Sequence, residues 1–403
     1  MRAPNALLPN VPSDWRLVPL WTLFRREARR DRGSEELLSV YRDYGVIPKA
    51  SRSDNFNKPS DDLDSYLFVE PGDLVVNKMK AWQGSMGISQ FRGIVSPAYF
   101  VYRPLHREDG RFLSYLLRSQ PMTKAYIANS KGIRINQWDL DPGAFSRLRV
   151  PLPPLAGQRA IADYLDRETA QIDTLIAEQQ RLIELLDERR VAAIEASFAC
   201  GVVNSRLRHA CREIIDCPHT TPDRDETGVY EAVRTASVRR GAFRPGNGIP
   251  VSEAAWSSRN SLGSPELGDV LFTREAPAGE ACMVPGNQIC LGQRMVLLKV
   301  DSEKAVGEFV LWQIYSKRVQ DHFVNTSNGS TVTNIRLPVL RSLPIYLPPL
   351  DEQRRIVAEL DEVTSKIDTL IAEAERFIEL AKERRSALIT AAVTGQIDIP
   401  GVE

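Results

Sequence analysis

The sequence predicts an α+β protein in which two globular domains are separated by two long helices that pair as an antiparallel coiled coil. Three observations predict this architecture. One block of sequence occurs twice without a gap, each copy has an amphipathic helical pattern, and each pattern follows a Leu-Pro-Pro-Leu segment. The predicted boundaries give a globular domain at 1–151, a helical region at 152–201, a second globular domain at 202–346 and a second helical region at 347–403.

The internal repeat is clearest in the helical regions. Residues 152–190 align with residues 347–385 without a gap, with more than half of the aligned positions identical and a constant offset of 195 residues. The repeat continues more weakly into the globular parts, where EPGDLVVNK at Glu70–Lys78 resembles ELGDVLFTR at Glu266–Arg274. We infer two copies of one unit, related by a pseudo-two-fold axis, each a globular domain followed by a long helix.

Each predicted helix starts after a pair of prolines. Pro154 and Pro349 close an extended segment, because proline lacks the amide hydrogen and disfavours helix at the preceding residue. Apolar residues then recur at steps of three and four, as on one face of a helix. The predicted coiled-coil contacts are Ile172, Leu175, Ile176, Leu182, Ile183 and Leu186 in the first copy, and Ile367, Leu370, Ile371, Phe377 and Ile378 in the second.

The length of these helices favours pairing. A helix of about 35 residues rises about 50 Å, which is more than a small domain can cover, so much of its apolar stripe needs a partner helix. Two surface helices, each packed on its own domain, are the alternative. Two units about a pseudo-two-fold axis would have antiparallel helices and would present two surfaces to a DNA duplex, which has a local two-fold axis of its own.

The charge is segregated although the formal net charge is zero. Residues 1–155 carry 23 basic and 16 acidic residues, whereas residues 351–403 carry 7 basic and 12 acidic ones. Phosphate contact needs only a local basic face, so a nucleic-acid partner remains compatible with the composition. The five scattered cysteines suit a reducing cytosol, and we expect no signal peptide, no membrane span and a cytoplasmic location.

The repeated motifs resemble those of a known family, the specificity subunits of type I restriction–modification systems. The resemblance is carried by L-P-P-L-x-x-Q-R at Leu152–Arg159 and Leu347–Arg354, followed by I-D-T-L-I-A-E at Ile172–Glu178 and Ile367–Glu373. It is strengthened by E-R-R at Glu188–Arg190 and Glu383–Arg385, and by domain starts similar to the family's at Val11–Leu20 and Arg206–Pro222. It covers essentially the whole chain but is weak inside the globular parts, and no third copy of the helix repeat is present.

The resemblance implies a function. Such subunits carry two target-recognition domains, each reading one half of an asymmetric bipartite DNA sequence. Their helical regions form the antiparallel rod and bind two methyltransferase subunits, which carry S-adenosylmethionine and methylate adenine. Restriction subunits can join the complex. The expected partners are therefore double-stranded DNA, two methyltransferase subunits and, in some complexes, restriction subunits, with no cofactor on this chain.

Base edges are read by arginine, lysine, amide and hydroxyl side chains on projecting segments. Glycine-punctuated segments beside strand-like runs supply such residues, although ordinary solvated loops have the same composition. In the first domain the candidates are Lys78, Lys80, Gln83, Ser85, Lys131, Arg134, Asn136 and Gln137. In the second they are Arg274, Gln293, Arg294, Asn328, Ser330, Thr331, Thr333, Asn334 and Arg336.

The sequence argues against catalysis by this chain. It lacks an acidic residue two positions before any lysine, a G-x-S-x-G elbow and a phosphate-binding P-loop. Pro153-Pro154 and Pro348-Pro349 are followed by leucine, not by the aromatic residue of a methyltransferase motif. No metal site is expected, because the spacing of Cys211 and Cys217 is not that of paired zinc ligands.

Three functional classes can be compared. A DNA-sequence-specificity subunit is favoured by the repeats and the basic first segment. A coiled-coil adaptor that joins proteins without reading DNA is the alternative. A self-sufficient methyltransferase is disfavoured by the missing motifs.

Overall fold

The computed structural model describes residues 11–42, 44–52, 59–60, 62–134, 137–326 and 334–400, without the side chains of 131–134 and 137. The chain divides into two compact units: Met1–Gln179 with Arg376–Glu403, and Gln180–Glu375. Each unit therefore combines a globular part, the first part of the long helix that follows it and the last part of the other long helix. This differs from the sequence repeat, in which each globular domain is followed by one whole helix.

The first unit is built around a four-stranded antiparallel sheet of order β2-β9-β6-β7, with the two-stranded pairs β1-β12, β3-β4, β5-β8 and β10-β11. Its strands are β1 Arg16–Pro19, β2 Phe24–Glu27, β3 Leu38–Tyr41, β4 Gly45–Pro48, β5 Leu67–Val69, β6 Leu74–Asn77, β7 Met86–Ile88, β8 Gly93–Val95, β9 Tyr99–Pro104, β10 Ser130–Arg134, β11 Gln137–Leu140 and β12 Arg149–Leu152. Its helices are α1 Leu20–Leu23, α2 Gly110–Arg118, α3 Gln120–Ala128, α4 Pro142–Arg147 and the first part of α5 Leu155–Phe198.

The second unit contains a four-stranded antiparallel sheet of order β14-β22-β19-β20 and a three-stranded sheet of order β18-β15-β21, with the pairs β13-β23 and β16-β17. Its strands are β13 Ser205–Arg206, β14 Cys211–Asp216, β15 Tyr230–Val233, β16 Val238–Arg239, β17 Ala242–Phe243, β18 Ile249–Val251, β19 Val270–Thr273, β20 Ala281–Met283, β21 Ile289–Leu291, β22 Met295–Val300 and β23 Pro344–Ile345. Its helices are α6 Leu207–Ala210, α7 Glu253–Arg259, α8 Gly307–Ile314, α9 Lys317–Thr326, α10 Leu337–Arg341 and the first part of α11 Leu350–Val393.

The two four-stranded sheets have the same topology, which confirms the predicted internal repeat and the α+β class. In the first sheet, Tyr102 of β9 lies between Arg26 of β2 and Leu74 of β6. In the second sheet, Leu298 of β22 lies between Ile214 of β14 and Val270 of β19. The weak sequence similarity between Glu70–Lys78 and Glu266–Arg274 thus marks structurally equivalent strands.

Helix α2 anchors the core of the first unit. The Asp109 side chain caps it by accepting hydrogen bonds from the amides of Arg111 and Phe112, at 2.9 and 3.1 Å. Its apolar face, which is fully buried, packs in one cluster with β6, β9, the start of α5 and the end of α11. The residues of that face are Phe112, Leu113, Leu116 and Leu117.

The two long helices have equal lengths and equivalent bounds. Helices α5 and α11 each contain 44 residues and each rises about 66 Å at about 1.5 Å per residue. Both begin directly after the second proline of Leu-Pro-Pro, as the sequence predicts, but each is longer than the 35 residues expected. Helix α11 ends where Gly395, with φ of 70°, takes the left-handed conformation that closes a helix C-terminus.

Within the second unit the helices pack antiparallel. Leu186 of α5 clusters with Ile367 and Ile371 of α11. Further along α5, Ile194 clusters with Ile356. The contacting residues of α11 therefore come earlier in the sequence as those of α5 come later, which is the antiparallel order. The first unit shows the same order, because Ile161 packs in one cluster with Val393 whereas Asp173 pairs with Arg385.

The residues predicted to form the coiled coil differ in burial. Ile172, Leu186, Ile367, Ile371 and Ile378 are buried, and Ile176 and Ile183 are half-buried. Leu175, Leu182, Leu370 and Phe377 are instead 39 to 44% exposed. A stripe with the 3.6-residue period is wider than the seam between two helices, so apolar residues on its border lie outside the contact.

Candidate nucleic-acid interface

In the first unit, the predicted base-reading residue Lys78 follows directly after the central strand β6. Its amide donates to the Ala98 carbonyl at 3.2 Å, and its carbonyl accepts from the Leu140 amide of β11 at 3.2 Å. These two bonds bring the end of β6 beside the β10–β11 hairpin. The structure therefore places Lys78 next to a hairpin whose described backbone includes three further predicted residues.

The Lys78 side chain lies in a cationic and aromatic cluster. Its Nζ lies 4.9 Å from the centroid of the Phe100 ring, and the Arg26 guanidinium lies 4.3 Å from the same ring. Burial, followed by repulsion from Arg26, lowers the pKa of Lys78, while the Asp139 carboxylate acts in the opposite direction. Two neighbouring cations give this part of the surface a local positive charge.

A tryptophan pair lies beside this cluster. The rings of Trp82 and Trp138 are 5.0 Å apart, and Trp82 Nε1 donates to the Met79 carbonyl at 3.0 Å. Lys80 and Gln83, in the same segment, are exposed. Ser85 lies directly before β7 and is only 3% exposed, and this burial disfavours the predicted contact of its hydroxyl with a base.

Three of the remaining candidates of the first unit lie in the β10–β11 hairpin. Lys131 pairs with Asp139, and Arg134 pairs with Gln137, in antiparallel register. The structure describes only the backbone of Lys131, Arg134 and Gln137. Asn136 lies outside the described residues, as do Asn328, Ser330, Thr331 and Thr333 of the second unit.

Arg274 occupies the equivalent position in the second unit. It follows β19, its amide donates to the Arg294 carbonyl at 2.9 Å, and its carbonyl accepts from the Ile335 amide at 3.0 Å. Its guanidinium is largely used inside the unit, because Nη1 contacts both Asp216 oxygens at 2.7 and 2.8 Å and Nε donates to the Ile335 carbonyl. Only 14% of the Arg274 side chain is exposed, so it forms part of the wall of the site and does not project into solvent.

A polar cleft of about 230 Å³ opens at this position, lined by His219, Arg274, Glu275, Gln293 and Arg294. The structure thus brings together three of the predicted residues of the second unit. Gln293 Nε2 donates to the His219 carbonyl at 3.2 Å, whereas the Arg294 side chain is 53% exposed. Asn334 adjoins the cleft because its Nδ2 donates to Glu275. Arg336 lies exposed at the start of α10.

The sequence missed two carboxylates of this site. Glu275 forms an ion pair with Arg294, with 3.3 Å between Oε2 and Nε. Asp216 lies at the end of β14, and its pairing with Arg274 spans 58 residues of sequence. The position of Glu275 directly after a predicted strand-end arginine is the only sequence signal that points to it.

Both units attach their globular part to the following helix through a glutamine that is fully buried. In the first unit, Gln158 accepts from the Asp109 amide at 2.9 Å and donates to the Pro153 carbonyl at 2.9 Å and to Glu108. The glutamine of Leu-Pro-Pro-Leu-x-x-Gln-Arg therefore holds the start of α2 against α5.

The second unit repeats this attachment. Gln353 accepts from the Val306 amide at 2.9 Å and donates to the carbonyls of Lys304 and Pro348, at 2.9 and 2.8 Å. A second equivalent bond in each unit joins an aromatic side chain to an aspartate of the long helix. Tyr115 donates to Asp166 at 2.8 Å, and Trp312 donates to Asp361 at 2.9 Å.

The long helices also carry apolar residues that are only partly covered. Three of those on each helix lie at positions related by the repeat offset, and these six are 39 to 46% exposed. We call them the exposed helix residues: Leu175, Leu182 and Leu185 on α5, and Leu370, Phe377 and Leu380 on α11. Their recurrence in both copies of the repeat makes these residues the candidate contacts for another protein.

The described part of the chain contains no candidate metal site, and the state of its cysteines follows from their burial. No group of three or more histidine, cysteine, aspartate or glutamate residues there could hold a metal ion. Four of the five cysteines are buried, and burial raises the pKa of Cys211 and Cys282 to about 12. None of the described helices is long and apolar enough to cross a membrane.

Comparison with known proteins identifies relatives of both halves. A family model described as the type I restriction modification DNA specificity domain matches residues 12–185 and 227–378. The EcoKI specificity subunit of Escherichia coli K12 is 22% identical, over 96% of this chain and 90% of that protein. The putative MjaX specificity subunit of Methanocaldococcus jannaschii is 26% identical, over 72% of this chain and 68% of that protein.

Solved structures show the same fold. A chain from a study of complex assembly and conformational transition in the type I R-M system aligns with a TM-score of 0.64, covering 96% of this chain and all of that one, at 18% identity. The HsdS subunit from Thermoanaerobacter tengcongensis aligns with a TM-score of 0.50 at 19% identity, covering 98% of this chain and all of that one.

Proposed function

This chain belongs to the family of type I restriction–modification DNA specificity subunits, and from that premise we propose that it reads an asymmetric, bipartite DNA site for a methyltransferase complex. One observation carries the proposal. Each compact unit has a polar site at the equivalent point of its own four-stranded sheet, directly after β6 in the first unit and directly after β19 in the second. The two sites have different side chains, so they would recognise different half-sites. Within the complex the chain is the non-catalytic subunit.

The Lys78 cluster supports phosphate and base contact by the first unit. Lys78 and Arg26 supply positive charge beside the Trp82–Trp138 pair, and exposed Lys80 and Gln83 continue the polar surface. Lysine and arginine hold phosphates, while amide side chains contact base edges. The predicted residues of the β10–β11 hairpin would extend this surface.

The long helices would act as the spacer between the half-sites. They are continuous over 44 residues each and share an antiparallel seam within each unit. A change in helix length would therefore change the length of the unread gap. Adding one heptad to both helices tests this role, and an unchanged gap would contradict it.

The exposed helix residues would bind the methyltransferase subunits. They occur in two equivalent sets, which fits two copies of one partner, with S-adenosylmethionine bound by that partner and adenine as the methylated base. Restriction subunits would join the same assembly. A coiled-coil adaptor that reads no DNA fits less well, because the family model covers both globular parts as well as the helices.

Exchange of one recognition domain tests the proposal directly. Residues 1–150 are replaced by those of another family member, and methylated adenines are mapped in cells that express the hybrid with its methyltransferase partner. We expect one half of the recognised sequence to change and the other half to stay. A change in both halves, or methylation without sequence preference, would contradict two independent reading domains.

A salt titration separates DNA reading from an adaptor role. For the wild-type complex, the logarithm of the DNA affinity should fall linearly with the logarithm of the salt concentration, with a slope of about −0.9 for each phosphate contact. An affinity that does not change with salt would favour the adaptor.

A further inference from the structure

Arg294 stands out in the cleft of the second unit because its backbone is left-handed. Its φ is 66°, a region that residues other than glycine seldom adopt. Its counterpart in the first unit is Ala98, which accepts the equivalent hydrogen bond from the strand-end cation, at Lys78. Ala98 is not among the residues with positive φ. The second unit therefore has a left-handed backbone and a long side chain at this position, and the first unit has neither.

The Arg294 side chain is held at one edge and open at the other. Glu275 Oε2 lies 3.3 Å from Nε, and 53% of the Arg294 side chain is exposed. Among the described residues, the guanidinium makes an ion pair with Glu275 and no hydrogen bond is formed by Nη1 or Nη2. Two parallel donors thus remain for a ligand outside the unit.

Glu275 is itself fixed in place. Its second carboxylate oxygen accepts from Asn334 Nδ2, and its side chain is 27% exposed. Holding the carboxylate on one side directs the charge of Glu275 to the Nε edge of Arg294. The free edge of the guanidinium then has the geometry that suits a ligand with two adjacent acceptors.

We propose that Arg294 recognises a guanine in the half-site of the second unit and that Glu275 is the positioning residue that orients it. The O6 and N7 atoms of guanine in the major groove are two adjacent acceptors, and bidentate contact by arginine is their commonest readout. Arg274 does not fill this role, because Asp216 and the Ile335 carbonyl occupy its guanidinium. The inference rests on the proposed function and names one base that the second unit selects.

The test uses the full-length chain with its methyltransferase subunits and a plasmid library in which both half-sites are randomised. Methylation rates are read for each sequence with the wild-type chain, R294A, R294K and E275Q. R244A is the matched control, because it removes the same charge. Arg244 is exposed in the same unit and does not line the cleft.

R294A should relax one guanine position in one half-site, reducing its preference about 5- to 150-fold. R294K keeps the charge but lacks the two parallel donors, so it should lose the same preference, which shows that a failure to fold is not the cause. E275Q should weaken the preference at that same position while the salt dependence and the other half-site stay unchanged. R244A should leave the recognised sequence unchanged.

Three results would overturn the inference. One is a guanine preference that survives in R294A. Another is a uniform loss of binding to all sequences with a shallower salt dependence, which would identify Arg294 as a phosphate contact. The third is an E275Q variant that reads guanine as the wild-type chain does. A wild-type complex without bipartite specificity would instead refute the proposed function, so the two failures are distinguishable.

Discussion

Two ion pairs join the long helices, one in each unit, and they differ in burial. Arg190 pairs with Asp368 in the second unit, and Arg385 pairs with Asp173 in the first, at positions related by the repeat offset. The Arg190 side chain is only 8% exposed, whereas that of Arg385 is 28% exposed. Arg190 also donates to the Arg240 carbonyl at 3.3 Å. Because the Arg190 side chain is buried, removal of Asp368 would leave a buried charge without an ion-pair partner.

The difference in burial sets the expected magnitudes. Removing one partner of a fully buried pair costs about 3 to 5 kcal/mol. Asp368 is 61% exposed, so solvent screening reduces the pair's contribution. We expect D368A to lower the free energy of local unfolding by about 2 kcal/mol, and D173A, at an exposed pair, by about 0.5 kcal/mol.

Hydrogen exchange measured by mass spectrometry resolves the two helix segments. Amide exchange in residues 180–198 should be about 30-fold faster in D368A, and exchange in residues 160–179 about 2-fold faster in D173A. The double variant R190M/D368A should recover most of the protection, because it removes the buried charge together with its partner. Equal effects of D368A and D173A, or no recovery in the double variant, would refute the reasoning.

Three further predictions concern the same two units. The pKa of His106 is lowered by burial from about 6.5, so the folded state binds fewer protons than the unfolded state below that pH; the first unit should lose stability as the pH falls below about 6.5, and H106N should remove that dependence in urea unfolding. Q158L leaves the Asp109 amide and a proline carbonyl unpaired, so the midpoint of urea unfolding should fall by an amount equivalent to about 2 kcal/mol; an unchanged midpoint would contradict the attachment. L175K and L370K should change stability by less than about 0.5 kcal/mol because both side chains are exposed, yet each should weaken binding of methyltransferase subunits at least about 10-fold in a pull-down titration; unchanged binding would locate the partner elsewhere.

Sequence periodicity predicted the helices because their signal is local. The start at Leu155 and Leu350 follows from the prolines before them, and the long apolar pattern fixes the helical state. The width of that pattern did not distinguish Ile172, in the seam, from Leu175, outside it. Which side of a broad stripe faces the partner depends on the crossing of two helices that are far apart in sequence.

The candidate site was predictable only in part for the same reason. Glycine-punctuated segments after strands pointed to Lys78, Arg274 and Arg294, and the sheets bring those segments to one place in each unit. The partner of Arg274 is Asp216, which precedes it by 58 residues, so no local pattern reveals that the arginine is occupied. Likewise, the burial of Ser85 arises from strand packing, because β7 starts at the next residue.

The bonds of the buried glutamines make one part of the junction between globular domain and helix largely independent of side-chain identity. Every bond of Gln353 ends on a main-chain atom, and Gln158 adds only one side-chain partner, Glu108. Any residue except proline supplies both main-chain groups, so this part of the attachment depends mainly on the backbone path of the domain. Exchange of a globular domain would thus leave the main-chain bonds of these glutamines in place.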